Sequence, residues 1–481
     1  MARRRGQDIR CGRNGAALGK CVNDPDFGCT FPLMARAARM QADVVVLGAG
    51  AAGLAAARDL SQAGLRVTLI EGRGRVGGRV LTIHDAHAPV PLELGAEFVH
   101  GAAPETLGMA RAAGLAVVEL PDLHEIVRGG RFEVWQDFRS AIDRMGRDLA
   151  RRVAQRGADF PVSEYLDSGR VPAPRRQLLR DFVQGFHAAH PERLGAKALA
   201  SEDDQLDKQF RIVNGGDALM NRLRAGLDPD RVEIRLSTVV EAVQWKRRAV
   251  TIACRGGDRA PLSVSARAAI STLPAAVLKT GAIRLRPALP AKQRALERIE
   301  TGQIFKIVLR FREAFWEQPA FLKERRAGKS RADGASLNFL HAPGVEIPTW
   351  WTSAPVRGPV LTGWVGGTGA EALLAEEPAS RLERSLVALS EVFAVPRREL
   401  ELQLDAWVSH DWRADPFARG AYSYLGVGGS GAPRALARPV DGTLFFAGEA
   451  TTADQIGTVA GALASGRRAA REVLRALQEG A

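Results

Sequence analysis

The stretch Gly48-Ala49-Gly50-Ala51-Ala52-Gly53 lies between the apolar run Val44-Val45-Val46-Leu47 and an alanine-rich segment. A second apolar run, Val67 to Ile70, ends at Glu71. A phosphate-cradling turn between a strand and a helix requires this order. Gly48 permits the tight turn, and Gly50 lets the backbone approach a pyrophosphate. Gly53, next to Ala52, lets the helix lie close on the strand. The free N–H groups at the helix start then face the phosphate. Glu71 ends the second strand, where a carboxylate accepts hydrogen bonds from a ribose. Arg73 and the run Arg75-Val76-Gly77-Gly78-Arg79 follow. A nicotinamide dinucleotide does not need this second glycine pair with its flanking arginines. A second close approach to the pyrophosphate points to FAD. Gly48, Gly50, Ala52, Gly53, Glu71, Arg73, Gly78 and Arg79 are the expected contacts on the adenine side.

Three later blocks carry further reactive or positioning residues. Leu94-Gly95-Ala96-Glu97-Phe98-Val99-His100-Gly101 places a carboxylate and an imidazole after a small-residue turn. From Ile304 to Phe311 the chain alternates as a strand, with Phe305, Ile307, Leu309 and Phe311 on one face and Lys306, Val308 and Arg310 on the other. Taken alone, a strand lysine reads as a stem reaching towards a sheet edge. Here the run is apolar and lysine is scarce, at nine of 67 basic residues. The last block runs from Trp412 to Tyr424 and joins Phe446-Ala447-Gly448-Glu449. Alone, Tyr422 reads as a buried aromatic with its hydroxyl satisfied, and His100 as a structural hydrogen-bonder.

The elements that must hold these residues indicate an α/β protein. A length of 481 residues favours two domains. The segmentation is interleaved. Residues 42–130, 206–285 and 420–478 are expected to form a Rossmann-type FAD-binding domain, with Val240 among its cofactor contacts. Residues 131–205 and 286–419 are expected to form an α+β substrate-binding domain. Asn214-Gly215-Gly216-Asp217 starts a helix, Val232 to Val243 alternates as a strand, and Ala269 to Leu273 reads as a buried strand closed by Pro274. Leu444 to Ala447 is a short strand, Gly448-Glu449 a turn, and Thr458 to Leu474 a helix rich in small residues. Residues 1–41 lack periodicity and an apolar signal core, so they read as a disordered leader or a mis-assigned start, with Met34 or Met40 as the true one.

Composition excludes several classes. Hydrophobic content of 46% and charged content of 25% are those of a globular protein. No apolar run reaches the ~18 residues of a membrane span, so no membrane partner is expected. The net charge of +13 comes from scattered arginines without a basic stripe, which argues against a nucleic-acid partner. Cys11, Cys21 and Cys29 lack paired zinc-site spacing, and only Cys254 lies in the body. No metal is expected, and a reducing, cytoplasmic compartment fits.

Together the four blocks resemble the flavin-dependent amine oxidases: monoamine oxidases, polyamine oxidases and the catalytic domain of the lysine-specific histone demethylases. The resemblance runs from Ala42 to Leu477. It implies that Lys306 holds a water against the flavin, and that Tyr422 forms one wall of an aromatic cage before it. Thr458 stands where monoamine oxidases carry the second cage tyrosine, so the cage is half open and a larger or longer amine is implied. The resemblance also places His100 near the substrate amine, Glu97 as an anionic partner for a cationic nitrogen, and Gly95, Ala96, Gly448, Glu449 and Thr458 at the cofactor. Ala421 replaces the cysteine that bonds to the flavin in monoamine oxidases, so FAD is expected to be non-covalent. The activity implied is oxidation of a primary or secondary amine by O2 to imine or aldehyde and H2O2, by a monomer or homodimer. A carotenoid- or porphyrinogen-type flavin desaturase and a non-catalytic flavoprotein binding module are the alternatives.

Overall fold

The computed structural model describes residues 39–136, 138–201, 208–257, 259–326 and 336–479. Val44–Leu47 and Val67–Ile70 are buried along their whole length. They lie in a five-stranded sheet ordered Val232–Arg235, Val67–Ile70, Val44–Leu47, Ala268–Ser271, Leu444–Phe446, with every pairing parallel. Counted along the chain this is the order 3-2-1-4-5 of a doubly wound dinucleotide-binding sheet. The order reverses next to Val44–Leu47, so the glycine turn that leaves this strand opens at the crevice where such sheets bind ligands.

Two helices cover one face. Ala51–Gln62 follows the glycine turn, and Val459–Gln478 returns from the far end of the chain to pack on it. Their approach is backbone to backbone: a Cβ on Gly466 would stand 2.1 Å from the Ala52 carbonyl oxygen. The small residues of both helices serve this contact.

The sequence suggests one strand from Val232 to Val243, but the structure has two. Val232–Arg235 joins the parallel sheet, whereas Val239–Lys246 pairs with Ala249–Arg255 in an antiparallel meander completed by Pro261–Ala266. The break falls at Ser237, whose φ of 49° no regular strand tolerates. The turn is anchored by Ser237 N–H to Arg73 O and Thr238 N–H to Glu71 O, each 2.8 Å. Arg39–Gln41 pairs in parallel with Ser263–Ser265 at the meander's edge. Residues 1–38 lie outside the described ones.

The remaining large element is a seven-stranded sheet in the order Leu404–Ser409, Ile304–Phe311, Val360–Gly366, Thr349–Thr352, Phe339–His341, His124–Arg128, Arg131–Val134. Both faces of Ile304–Phe311 are buried. Phe305, Ile307, Leu309 and Phe311 enter one aromatic-rich core, and Val308 enters a second on the opposite side. Lys306 therefore has no sheet edge to reach. The sheet takes His124–Arg128 from within the 42–130 segment, while Leu289, Ala295 and Leu296, from the 286–419 segment, pack into the nucleotide-side core. The helices Phe138–Arg156, Val162–Leu166 and Ala173–Phe186 form a further core beside this sheet. Among the described residues no helix is long and apolar enough to cross a membrane.

Gly466→Leu is expected to destabilise the fold by ~1–3 kcal/mol through overpacking at the helix contact. The reading is a lower urea midpoint with the slope retained; an unchanged midpoint would mean that the two helices do not meet there.

Candidate functional site

The first strand, its glycine turn and the Gly77-Gly78 pair enclose a cavity of about 350 Å³ bordered by Gly48, Gly50, Glu71, Arg79, Val240 and Gly448. Gly48 has φ 101°, and a Cβ on Gly53 would lie 1.9 Å from Gly48 O, so neither position accepts a side chain. Gly50 caps the helix and bridges to Gly77, and a Cβ on Gly78 would stand 3.3 Å from Gly50 Cα. The two glycine clusters thus form one surface of bare backbone. Glu71 borders it while accepting the Ala49 N–H at Oε2 and the Arg73 N–H at Oε1, both 2.9 Å. Each oxygen keeps a further acceptor site for a ribose hydroxyl. Helix-start N–H groups, bare backbone and a buried carboxylate are the donor and acceptor set that FAD requires.

Three expected cofactor residues border this cavity but direct their charges at the protein. The Arg73 guanidinium grips both oxygens of Asp415 at 2.8 Å. Burial alone would lift the Asp415 carboxyl; hydrogen bonds from His410 and Arg73, with the Arg73 charge, outweigh it and hold the group well below the usual carboxylate range. Arg79 Nη1 donates to Ala421 O at 2.6 Å and to Glu449 Oε1 at 2.9 Å. The buried Glu449 also accepts the Ser423 hydroxyl at 3.0 Å, the Ser423 N–H at 3.4 Å and the Gly457 N–H at 3.0 Å. These side chains hold the cavity wall together, which the motif pattern does not reveal.

A second cavity, of about 250 Å³, meets the first at Gly95, Ala96, Trp364, Tyr422, Gly457 and Thr458. Lys306 borders it, directly across the sheet from Trp364. Its Nζ donates to Glu97 Oε2 at 2.7 Å and to Gly95 O at 3.3 Å. Two of its three N–H donors are taken in this way, and Nζ stands 5.5 Å from the centroid of the Trp351 ring. Glu97 differs from its expected role as the partner of a substrate cation. Oε2 takes Lys306, and Oε1 takes Arg211 at 2.8 Å and the Trp351 indole at 3.1 Å. Burial would raise the Glu97 carboxyl, but the charges of Lys306 and Arg211 and the bonds from Lys306 and Trp351 prevail and keep it low. Its counter-charges are already inside the protein.

His100 borders the same cavity with Nδ1 buried and unpartnered among the described residues. Burial pushes its imidazole down to about 4, so the ring is neutral at ordinary pH. It stands edge-on to Phe186 at 5.4 Å. The Tyr422 hydroxyl donates to Phe186 O at 2.7 Å, which leaves its ring as a wall of both cavities. Thr458 borders both cavities too and caps Val459–Gln478, its hydroxyl accepting the Gly461 N–H and donating to Gln455 O, each 2.9 Å.

Sequence reasoning missed Trp364, Trp351 and Arg211. The two tryptophans have a weak signal, since Trp351 and Trp364 each sit in a short apolar strand, as one of a Trp pair and as a lone ring between Gly363 and Gly366 respectively. Arg211 has none: it belongs to a four-residue strand and reaches Glu97 across 114 positions.

Arg211→Met leaves Glu97 one counter-cation short, and breaking such a buried pair is expected to destabilise the protein by ~3–5 kcal/mol. In urea denaturation, Glu97→Gln with Arg211→Met should lose less than the two single changes together; additive losses would show that the residues are uncoupled.

Comparison with known proteins agrees with this architecture. A family profile described as flavin containing amine oxidoreductase matches residues 51–474. The chain is similar to lysine-specific histone demethylase 1 homolog 2 of Oryza sativa subsp. japonica, at 29% identity over 465 residues, covering 91% of this chain and 58% of that protein. It thus spans little more than half the length of that relative. Polyamine oxidase 4 of the same organism is 29% identical, with 92% of this chain and 91% of that protein covered. Among solved structures, wild-type putrescine oxidase bound to putrescine superposes with a TM-score of 0.72 at 22% identity, over 91% of this chain and all of the other.

Proposed function

The chain belongs to the flavin-containing amine oxidoreductases and its cofactor is FAD, and we propose that it oxidises a C–N bond of a primary or secondary amine, polyamine-like or monoamine, with O2 as the acceptor. The products are an imine and H2O2, and water hydrolyses the imine to an aldehyde and ammonia or a smaller amine. The observation that carries this reading is the junction at which the FAD-shaped cavity meets an aromatic one beside Lys306. In this reading the first sheet and its C-terminal return hold FAD, and the seven-stranded sheet with its helices holds the amine.

When bound, FAD accepts the hydride equivalent from the carbon next to nitrogen. The chain's own residues supply the rest. The glycine turns and the start of Ala51–Gln62 bind the pyrophosphate. Ala421 offers no nucleophile, so attachment is non-covalent. An alkylamine has a pKa of ~10 and must shed a proton before its lone pair is available. At the junction the rings of Tyr422 and Trp364 exclude water, and Glu97 is already paired, so the neutral amine is favoured. The neutral His100 borders the cavity and adds no charge there. The remaining Lys306 N–H holds a water at the cavity surface, with Nζ fixed by Glu97 and Gly95.

A peroxide-coupled screen of putrescine, spermidine, spermine, tyramine and benzylamine should give amine-dependent H2O2. Lys306→Met should slow turnover by at least ~10-fold, about 1.4 kcal/mol of barrier. A flavin that no amine bleaches, with no peroxide formed, would overturn the assignment, and unchanged kinetics in the variant would remove Lys306 from it. Acid precipitation should leave the yellow colour in the supernatant; a yellow pellet would contradict non-covalent binding.

A further inference from the structure

Away from the junction the second cavity is walled by rings. His124 stacks on Phe138, with centroids 4.5 Å apart at 20°, and on Phe339, 4.9 Å apart at 10°. Its Nδ1 shares a hydrogen bond of 2.9 Å with His341 Nε2, and His341 stacks on Phe138 at 5.3 Å. Trp135 closes the group edge-on to His341 at 5.3 Å. All five line the cavity. Burial pushes His124 down to about 4 and His341 well below its ordinary value, and in each the neighbouring cation or imidazole adds to the effect. The stack is therefore uncharged.

Carboxylates are scarce there. Among the described residues lining the cavity they are Glu97, whose oxygens Lys306 and Arg211 occupy, and Asp181. Asp181 Oδ1 accepts from Gln177 at 2.8 Å, and Oδ2 is buried without a partner among the described residues. Burial raises this carboxyl to about 6. A polyamine would have to desolvate its further ammonium groups among neutral rings, with Asp181 in the lining and Asp122, 3.6 Å from His124 Nε2 and already paired with Arg139, as counter-charges. Ring faces attract a cation, but less strongly than water holds it. A ring or apolar chain meets no such penalty and gains burial and stacking. The volume suffices, since a cavity of about 150 Å³ already admits benzene.

We propose that the far end of this cavity is a subsite for an aromatic or apolar group, and that the substrate is a monoamine carrying such a group some distance from its nitrogen. The group lies against the stack formed by His124, Phe138, Phe339 and His341, while the nitrogen reaches the junction at Lys306. The nitrogen's fate rests on the amine-oxidase reading above; the subsite itself rests on the ring geometry.

Anaerobic calorimetric titration of the FAD-loaded protein with 4-phenylbutylamine, n-butylamine and spermidine tests this. The aryl amine should bind at least ~10-fold more tightly than either other. Phe339→Ala should reduce its advantage over n-butylamine to ~3-fold or less. Equal affinities for the aryl amine and n-butylamine in the unmodified protein would overturn the proposal whether or not the variant folds. So would spermidine binding as tightly as the aryl amine and weakening in Asp181→Asn, which would assign the far end to a second ammonium. Flavin absorbance in the same samples separates the two readings. Tight aryl-amine binding without bleaching would sink the oxidase assignment and leave the subsite, whereas bleaching by all three amines without a ring preference would sink the subsite alone.

Discussion

The carboxylate of Glu449 is the fastener on which both cavities depend. It is buried, and a buried carboxylate is tolerable only when donors surround it. Arg79 comes from the opening glycine unit, 370 positions away, the Ser423 hydroxyl and N–H from the strand after Tyr422, and the Gly457 N–H from the turn that caps the last helix. Donors 370, 26 and 8 positions from Glu449 thus converge on one anion. Arg79 also bonds Ala421 O, so the same clasp fixes Ala421 and the ring of Tyr422 next to it. Arg73 and Asp415 repeat the arrangement a short way along the wall. The two cavities meet in register because these charges satisfy one another.

A second buried carboxylate does the equivalent work at the second cavity. Glu97 joins Lys306 from the large sheet to Arg211 from a short strand packed beside it. The lysine is thereby fixed in place, and the cavity beyond it holds little free charge. Membership of the flavin-containing amine oxidoreductases and the superposition on putrescine oxidase bear on the fold that carries these residues. The character of the far end, however, belongs to this chain's own rings.

The glycine turn was readable because its constraint is local: a positive φ at Gly48 and a missing Cβ at Gly53 are demands that only sequence composition can meet. The alternation around Lys306 was readable for the same reason, since Phe305 and Ile307 do share a face. The strand break at Ser237 was not, because a non-glycine residue in the left-handed region leaves no compositional mark. Nor were the ion pairs. Nothing near Glu97 says that its partners lie 209 and 114 positions away, and an isolated acid next to a histidine invites a ligand-facing role that tertiary contacts take up instead. The ring stack joins His124, Phe138, Phe339 and His341 from two well-separated stretches, so no single window shows it.

The parallel sheet begins with Val44–Leu47 and closes with Leu444–Phe446, and the helix that seals Ala51–Gln62 is the last in the described chain. During synthesis the glycine turn therefore emerges long before its covering helix and the Glu449 clasp. Until then the alanine face of the first helix lies open and the FAD crevice lacks a wall. A complete FAD crevice therefore requires Val459–Gln478 to have emerged, and a nascent chain halted short of Val459 would expose an apolar surface that this helix covers.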